Sequence, residues 1–483
     1  MGVSVKLGSK AAAKIRLALP KGKMLNRTAE FLDGTGLGFD DYTSKTRIYR
    51  LRSQAVPSLT AKMLNERDIP VQVAIGNYDF GICSSDWLQE LQARYPASNV
   101  FKIADLDYDN AGIFLACAVG NELEAEVRIR SGADCRIVTE YPALAEAAAY
   151  KMRLRRFRIF PLWGAADAYL PENAELAVLR AGDENALRSL NLTPAKKIGT
   201  SSACIIANTQ SLQTRDFNSM LARFSCAPVI KEKPGVKEDK SASLPANNYN
   251  TGAAKGDIWL ALADGHQQVH TAAFLEKAGI KMEGYSMDDL RRRPSCSIDG
   301  INVKVIRPQD MPQQVANSNF DLAITGRDWM LDHLYQFPSS PVMELVNLGF
   351  GRVMVVAVVS KDIQSDTIDG IKELINRGKL TPLRIASEYV NIADKYLRDR
   401  HIARYRVIPT WGATEVYLPE DADMLIENTE TGQTLARHGL KIIDTLFEST
   451  ACLIGSRRSL ASAGKRAKID KLVSIFKEAA GQK

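Results

Sequence analysis

The stretch with the clearest chemical content is Glu427-Asn428-Thr429-Glu430-Thr431-Gly432-Gln433-Thr434-Leu435. A short apolar run, Met424-Leu425-Ile426, precedes it and reads as a buried strand. A helical pattern opened by Thr434 and Leu435 follows. A strand that ends in acid, hydroxyls and glycine before a helix can cradle phosphate. Glycine lets the backbone approach, N–H groups of the helix start point at the anion, and hydroxyls complete the shell. Glu427 and Glu430 suit ribose hydroxyls or a magnesium ion rather than phosphate oxygens. The same stretch also reads as an ordinary strand–turn–helix with capping threonines.

The residues that must position this loop occur twice. Pro161-Leu-Trp163-Gly164-Ala165-x-x-x-Tyr169-Leu170-Pro171-Glu172 returns 248 positions on as Pro409-Thr-Trp411-Gly412-Ala413-x-x-x-Tyr417-Leu418-Pro419-Glu420. Glu140-Tyr141 returns as Glu388-Tyr389, and Ala203-Cys204 as Ala451-Cys452. Asp79-Phe80-x-Ile82-x-x-x-Asp86-Trp87 returns 242 positions on as Asp321-Leu322-x-Ile324-x-x-x-Asp328-Trp329, and Ile15–Leu19 returns 243 on as Ile258–Leu262. This period is too long for a solenoid, so each copy is a whole globular body. The expected boundaries are residues 14–230 for the first copy, a linker at 231–256 rich in Lys, Pro, Ser, Asn and Gly, and 257–483 for the second.

Within each copy, apolar runs alternate with helical patterns. Ile15–Leu19, Phe80–Ile82, Ile113–Val119 and Val353–Val359 read as strands, and Met24–Leu32 and Leu59–Leu64 as helices. The alternation predicts an α/β fold with mostly parallel sheets, two lobes per copy and a cleft between them.

The copies have lost complementary parts. In register, Glu427 falls on Leu179, Asn428 on Arg180, Thr431 on Asp183, Gly432 on Glu184 and Thr434 on Ala186. Acids there would repel an anion. At the other end the first copy carries Leu19-Pro20-Lys21-Gly22-Lys23, which aims two ammonium groups and backbone N–H groups from a turn. The second has Leu262-Ala263-Asp264-Gly265-His266. Leu348-Gly349-Phe350-Gly351-Arg352 exists only in the second copy. Either the two halves build one composite site from both sets, or each set drifted away around one surviving site in the second half; the complementarity favours the first.

These residues, together with Arg67-Asp68-Ile69-Pro70, Ile324-Thr325-Gly326-x-Asp328 and Gly439-Leu440, resemble the ATP phosphoribosyltransferase family of histidine biosynthesis over nearly the whole chain. The resemblance implies a type II periplasmic-binding-protein-like bilobal fold, here in two tandem copies. It implies transfer of phosphoribosyl from phosphoribosyl pyrophosphate to N1 of ATP, with substrate-bound Mg²⁺ and release of pyrophosphate. The family's ribose-phosphate loop maps onto Glu427, Asn428, Thr429, Glu430, Thr431, Gly432, Gln433 and Thr434; its first position is usually Asp, and Glu427 is one methylene longer. Lys21 and Arg352 are the expected catalytic charges. Gly22, Lys23, Arg67, Arg307 and Glu415 are expected at ATP or pyrophosphate. The resemblance also implies a homodimer or higher oligomer, and allows a separate histidine-sensing regulatory subunit, since no room remains for a regulatory domain within the chain. A non-catalytic nucleotide-binding regulatory protein on the same fold is the alternative.

Composition is consistent with this reading. The chain has 483 residues, 45% hydrophobic and 25% charged, with a net charge of +7. No basic stripe interleaved with aromatics argues for nucleic acid, no apolar run spans a membrane, and no signal peptide is expected, which points to the cytoplasm. Seven scattered cysteines without a Cys-x-x-Cys pair predict reduced, mostly buried thiols. His266 and His270 have helical metal-ligand spacing but no third ligand, and fit a surface role better. Trp163 and Trp411 fit packing better than ligand stacking.

Overall fold

The computed structural model describes residues 14–39, 41–43, 49–53, 55–225, 256–286 and 288–482. Apart from Gly256, the expected linker at 231–256 lies outside the described residues, as does Cys226.

Each copy contributes two sheets. The first sheet of the first copy runs Arg50–Arg52, Leu59–Leu64, Ile15–Pro20, Phe80–Ser84, Ala203–Asn208, Val100–Asp105 in spatial order. Its counterpart in the second copy runs Ile301–Ile306, Ile258–Ala263, Leu322–Gly326, Ala451–Ser456, Val342–Asn347, with a separate hairpin of Met282–Tyr285 and Leu290–Cys296. The second sheets run Leu192–Ser201, Ala111–Ala118, Leu176–Ala181, Cys135–Thr139, Phe157–Pro161 and, in the second copy, Tyr405–Pro409, Leu383–Ser387, Met424–Thr429, Val353–Ser360, Leu440–Ser449. The same topology twice is the α/β tandem architecture expected from the repeat.

Two expectations need correction. Leu59–Leu64 is a strand, not a helix, paired in parallel with Ile15–Pro20 from Ile15↔Leu59 to Pro20↔Leu64. Five of its six residues are buried, so the period-two alternation that marks a strand is erased. Six residues would also make a marginal helix. The sheets are mixed rather than mostly parallel. Ala203–Asn208 and Ala451–Ser456 run antiparallel to both neighbours, because each returns from the copy's second sheet. Val353–Ser360 is buried as its apolar run predicts, yet both its partners are antiparallel. Burial on two faces reports coverage, not strand direction.

By contacts the described residues form two compact units that do not follow the repeat. One gathers those within Met1–Ala111, Thr200–Val236 and Trp411–Val416; the other, those within Gly112–Gly199, Lys237–Thr410 and Tyr417–Lys483. In the first unit Leu17, Leu19, Phe31, Phe80, Ile205 and Phe224 form the core. In the second, the first copy's second sheet and the second copy's first sheet share a core, with Tyr169, Leu170 and Ala174 packed among Met311, Val315 and Phe320. Tyr169 and Phe320 meet edge-on at 6.3 Å. Six described cysteines are free, five of them buried. No helix among the described residues is long and apolar enough to cross a membrane.

Candidate functional site

In the second unit, strand Met424–Thr429 carries Glu427, Asn428 and Thr429 to its end, and helix Gln433–Arg437 begins after the intervening Glu430, Thr431 and Gly432. The turn between them needs Gly432, whose φ of 71° lies in the left-handed region that glycine enters freely. Thr429 Oγ1 accepts from the Gly432 N–H at 2.9 Å, and Thr431 Oγ1 from the Gln433 N–H at 3.4 Å. Hydroxyls and amides thus converge on one turn, with Asn428, Glu430, Thr431, Gln433 and Thr434 exposed. Ladder pairing fixes a second loop beside it. Met354 pairs with Thr429, so Gly349-Phe350-Gly351-Arg352 ends two residues before that rung. Gly349 and Gly351 have φ of 74° and 62°, and the exposed Arg352 lies 3.0 Å from Glu448.

Beneath the phosphate-type loop is a set of contacts that the sequence showed only as unexplained repeats. Asn428 Nδ2 donates to Tyr389 Oη at 2.5 Å. The Tyr389 hydroxyl donates to Asp328 Oδ2 at 2.6 Å. Ser449 Oγ donates to Asp328 Oδ1 at 3.1 Å and accepts from the Asp328 N–H at 2.9 Å. Burial pushes the Tyr389 phenol well above its ordinary range, and the Asp328 carboxylate pushes it further. Burial likewise raises Asp328, against the Tyr389 bond. Asp328 opens helix Arg327–Gln336 of the copy's first lobe, whereas Tyr389 and Asn428 belong to the second. Asp332, one turn on, accepts from the Asn391 and Ile392 N–H groups at 2.9 Å each, capping helix Val390–Asp399.

The counterpart of this loop in the first copy is an ordinary helix start. Asp183 Oδ1 accepts from the Ala186 N–H at 2.7 Å, capping helix Glu184–Ser189. The converse holds for the loops after the first strands. Asp264 is 3.1 Å from Arg292 Nη1 and 3.3 Å from Arg307 Nη1, and Asp167 is 3.6 Å from Arg292. The charge that an anion would use is met by the chain's own carboxylates. Arg307, expected at substrate phosphates, is therefore partly engaged by Asp264. Next to this cluster, Arg293 and the fully buried Lys304 converge on Glu172 at 2.8 and 2.9 Å. Burial, then the Arg293 charge, pushes the Lys304 ammonium down to about 7. Against burial, Lys304 and Arg293 hold the Glu172 carboxyl below its usual range.

In the first unit, the Lys21 N–H donates to the Leu64 carbonyl at 2.9 Å and Gly22 has a φ of 81°, so the turn projects Lys21 and Lys23. Among the described residues neither lysine is in an ion pair. Arg67 lies between two indoles, 4.8 Å from the Trp87 ring and 4.2 Å from the Trp411 ring. The Trp411–Val416 segment is held by Asn65 Nδ2 on the Trp411 carbonyl at 2.7 Å and Lys62 Nζ on the Val416 carbonyl at 3.1 Å. This sets Glu415 against Tyr49, whose phenol is raised by burial and then by the Glu415 carboxylate. The Trp411 ring lies against the Arg67 guanidinium, and Trp163 meets Trp329 edge-on at 5.7 Å. His266 and His270 are exposed on helix His266–Lys277. Among the described residues no three His, Cys, Asp or Glu side chains cluster as a metal site.

The structure thus places Lys21, Gly22, Lys23, Arg67 and Glu415 in one unit and Arg307, Arg352 and Glu427 to Thr434 in the other. Sequence reasoning missed Arg292, Arg293, Lys304 and the roles of Tyr389 and Asp328. The run Arg291–Arg293 and the recurrence of Glu388-Tyr389 and Asp328-Trp329 were the available signals.

A bilobal α/β repeat whose second copy carries a glycine- and threonine-bearing strand–turn–helix loop is an architecture that can receive an anion. The family model "HisG: ATP phosphoribosyltransferase" matches residues 65–225 and again 307–478. The ATP phosphoribosyltransferase of Prosthecochloris aestuarii is 33% identical over 229 residues, 47% of this chain and 73% of that protein. That of Saccharolobus solfataricus is 33% identical over 221 residues, 45% of this chain and 70% of that protein. Among solved structures, the ATP phosphoribosyl transferase (HisG:HisZ) complex from Thermotoga maritima aligns at 20% identity with a TM-score of 0.38, covering 46% of this chain and 98% of that one. The Escherichia coli aliphatic sulphonate binding protein SsuA aligns at 13% identity with a TM-score of 0.30, covering 47% of this chain and 74% of that one. This chain belongs to the ATP phosphoribosyltransferase family, as two tandem copies of its catalytic unit.

Proposed function

We propose that the chain transfers phosphoribosyl from phosphoribosyl pyrophosphate to N1 of ATP at one composite site, to which each copy contributes the anion loop the other has lost. The supporting observation is the asymmetry of the loops. Lys21 and Lys23 have no carboxylate partner among the described residues, whereas Asp264, the counterpart of Lys21, is met by Arg292 and Arg307. Glu427 to Thr434 keep the left-handed Gly432, whereas Asp183 caps its own helix.

The adenine N1 lone pair forms the new bond to the anomeric carbon as the bond from that carbon to pyrophosphate breaks. The bond's electrons leave with the pyrophosphate oxygen. No protein nucleophile is needed, and catalysis consists of holding the reactants in line and balancing charge on the leaving group. Thr429, Thr431, Gln433 and Thr434 hold the ribose 5-phosphate, and Glu427 and Glu430 face ribose hydroxyls. Lys21, Lys23 and Arg352 balance the leaving pyrophosphate, which carries Mg²⁺ as part of the substrate. Gly22 lets the first-strand turn approach, and Arg67, Arg307 and Glu415 border the ATP side. A place in the cytoplasm, a homodimer and a separate histidine-sensing subunit belong to the same proposal; sizing the purified chain by light scattering tests the dimer.

Calorimetric titration with Mg²⁺ and phosphoribosyl pyrophosphate tests the site count. One equivalent per chain is expected, and none is expected for Thr431→Ala. Two equivalents would show that both copies bind, contrary to the composite reading.

A further inference from the structure

We infer that Tyr389 is a positioning residue for phosphoribosyl pyrophosphate, fixing the phosphate-side loop through Asn428 and referencing it to the opposite lobe through Asp328. The inference rests on the functional reading above. Its observations are the continuous donor sequence from Asn428 Nδ2 to Tyr389 Oη and from the Tyr389 hydroxyl to Asp328 Oδ2, at 2.5 and 2.6 Å.

Direction matters in that sequence. A buried carboxylate accepts, so the Tyr389 hydroxyl must donate to Asp328 and offer its lone pair to the Asn428 amide. With Nδ2 held there, the amide is oriented, and its carbonyl oxygen remains available as an acceptor on an exposed residue of the loop. Asp328 is in turn fixed by Ser449, which sits where strand Leu440–Ser449 hands over to Ala451–Ser456, the connection between the lobes. Trp329 lies 4.4 Å from the Tyr389 ring and restrains it from one face. Tyr389 is 1% exposed and Asp328 4%, so the contact between these two is dry and resists rearrangement. Tyr389 therefore acts on the substrate loop without reaching substrate itself.

The duplication provides an internal control. Tyr141 is the counterpart of Tyr389 and is also buried, but the residue matching Asn428 is Arg180 in a loop that has lost its glycine turn. A tyrosine kept only for packing should respond alike in both copies. A positioning tyrosine should respond only in the second.

The test compares Tyr389→Phe and Tyr141→Phe in the full chain by steady-state kinetics in both substrates and by thermal unfolding. Phenylalanine keeps the ring packing and removes only the hydroxyl. For Tyr389→Phe, KM for phosphoribosyl pyrophosphate should rise about tenfold while KM for ATP stays within about twofold. Tyr141→Phe should leave both unchanged. An unchanged KM in Tyr389→Phe, or equal shifts in both variants that follow Tm, would overturn the inference while the function stands. A wild-type chain that neither binds nor turns over phosphoribosyl pyrophosphate would overturn the functional reading, and the inference with it.

Discussion

Glu172→Gln tests how the first copy's Glu172 is bound to the second copy's first sheet, through Lys304, and to its separate hairpin, through Arg293. The carboxylate accepts two bonds from Arg293, at 2.8 and 2.9 Å, and one from Lys304 at 2.9 Å. The Lys304 side chain is 0% exposed and that of Arg293 15%, so the substitution removes a negative charge that faces two poorly solvated cations. Breaking one partner of such a buried set costs about 3–5 kcal/mol. Lys304 limits the loss, because an ammonium already pushed down to about 7 can release its proton near neutrality. Arg293 cannot do so, but it retains the Leu170 carbonyl at 2.5 Å. The expected loss is therefore about 3 kcal/mol at about pH 6, where Lys304 is charged, and about 2 kcal/mol at about pH 9, where it is already neutral in the parent chain. The sign in the parent chain follows from linkage. The folded pKa of Lys304 lies below the unfolded value, so the stability it contributes is present above about pH 10 and is lost as pH falls through about 7. Urea unfolding followed by tryptophan fluorescence measures both effects, with Trp259, 4.8 Å from Lys304 Nζ, as a local probe. A loss below about 1 kcal/mol at both pH values would refute the reasoning, because it would mean that the carboxylate balances no buried charge.

Three further outcomes are expected. His333, held by burial at about 4 and bonded to Ser340 at 2.8 Å, contributes stability that is present above about pH 6.5 and is lost as pH falls through about 4; His333→Gln should flatten the acid limb of a Tm-against-pH curve, and an unaltered limb would exclude the assignment. Arg67→Ala should cost about 1–3 kcal/mol by removing a cation held between Trp87 and Trp411, and should shift tryptophan emission; urea unfolding and emission spectra check it. Gly432→Ala meets no clash, since the nearest atom to a new Cβ is Ile442 Cδ1 at 3.7 Å. It forces a left-handed alanine at a cost of about 1 kcal/mol, and calorimetry should record weaker phosphoribosyl pyrophosphate binding.

Much of the architecture was legible because the chain states it twice. Ile15–Pro20, Phe80–Ser84 and Val353–Ser360 carry strand-forming runs, and the helix Leu25–Gly34 follows its apolar periodicity. The turn chemistry at Gly432 was also readable, because a left-handed residue before a short helix calls for glycine. Leu59–Leu64 was not readable, since burial on both faces removed its alternation. Nor were the long-range electrostatics. Lys62 and Lys304 look like solvated lysines, yet both are buried, on a carbonyl and on Glu172. Asp264 looked like a simple loss of lysine; its partner Arg292 lies 28 positions away. Arg67 looked like a phosphate ligand, and nothing local reveals the indole of Trp411. Tyr389 and Asp328, separated by 61 positions, were visible only as recurrences without a role.

The composite site is tested most directly by phosphoribosyl-ATP formation, followed by absorbance in wild type, Lys21→Ala and Thr431→Ala with Mg²⁺ present. Loss of at least about 100-fold in kcat/KM in both variants is expected, corresponding to about 2.7 kcal/mol of transition-state stabilisation from each loop. Activity retained in Lys21→Ala but lost in Thr431→Ala would contradict the account and assign the chemistry to the second copy alone.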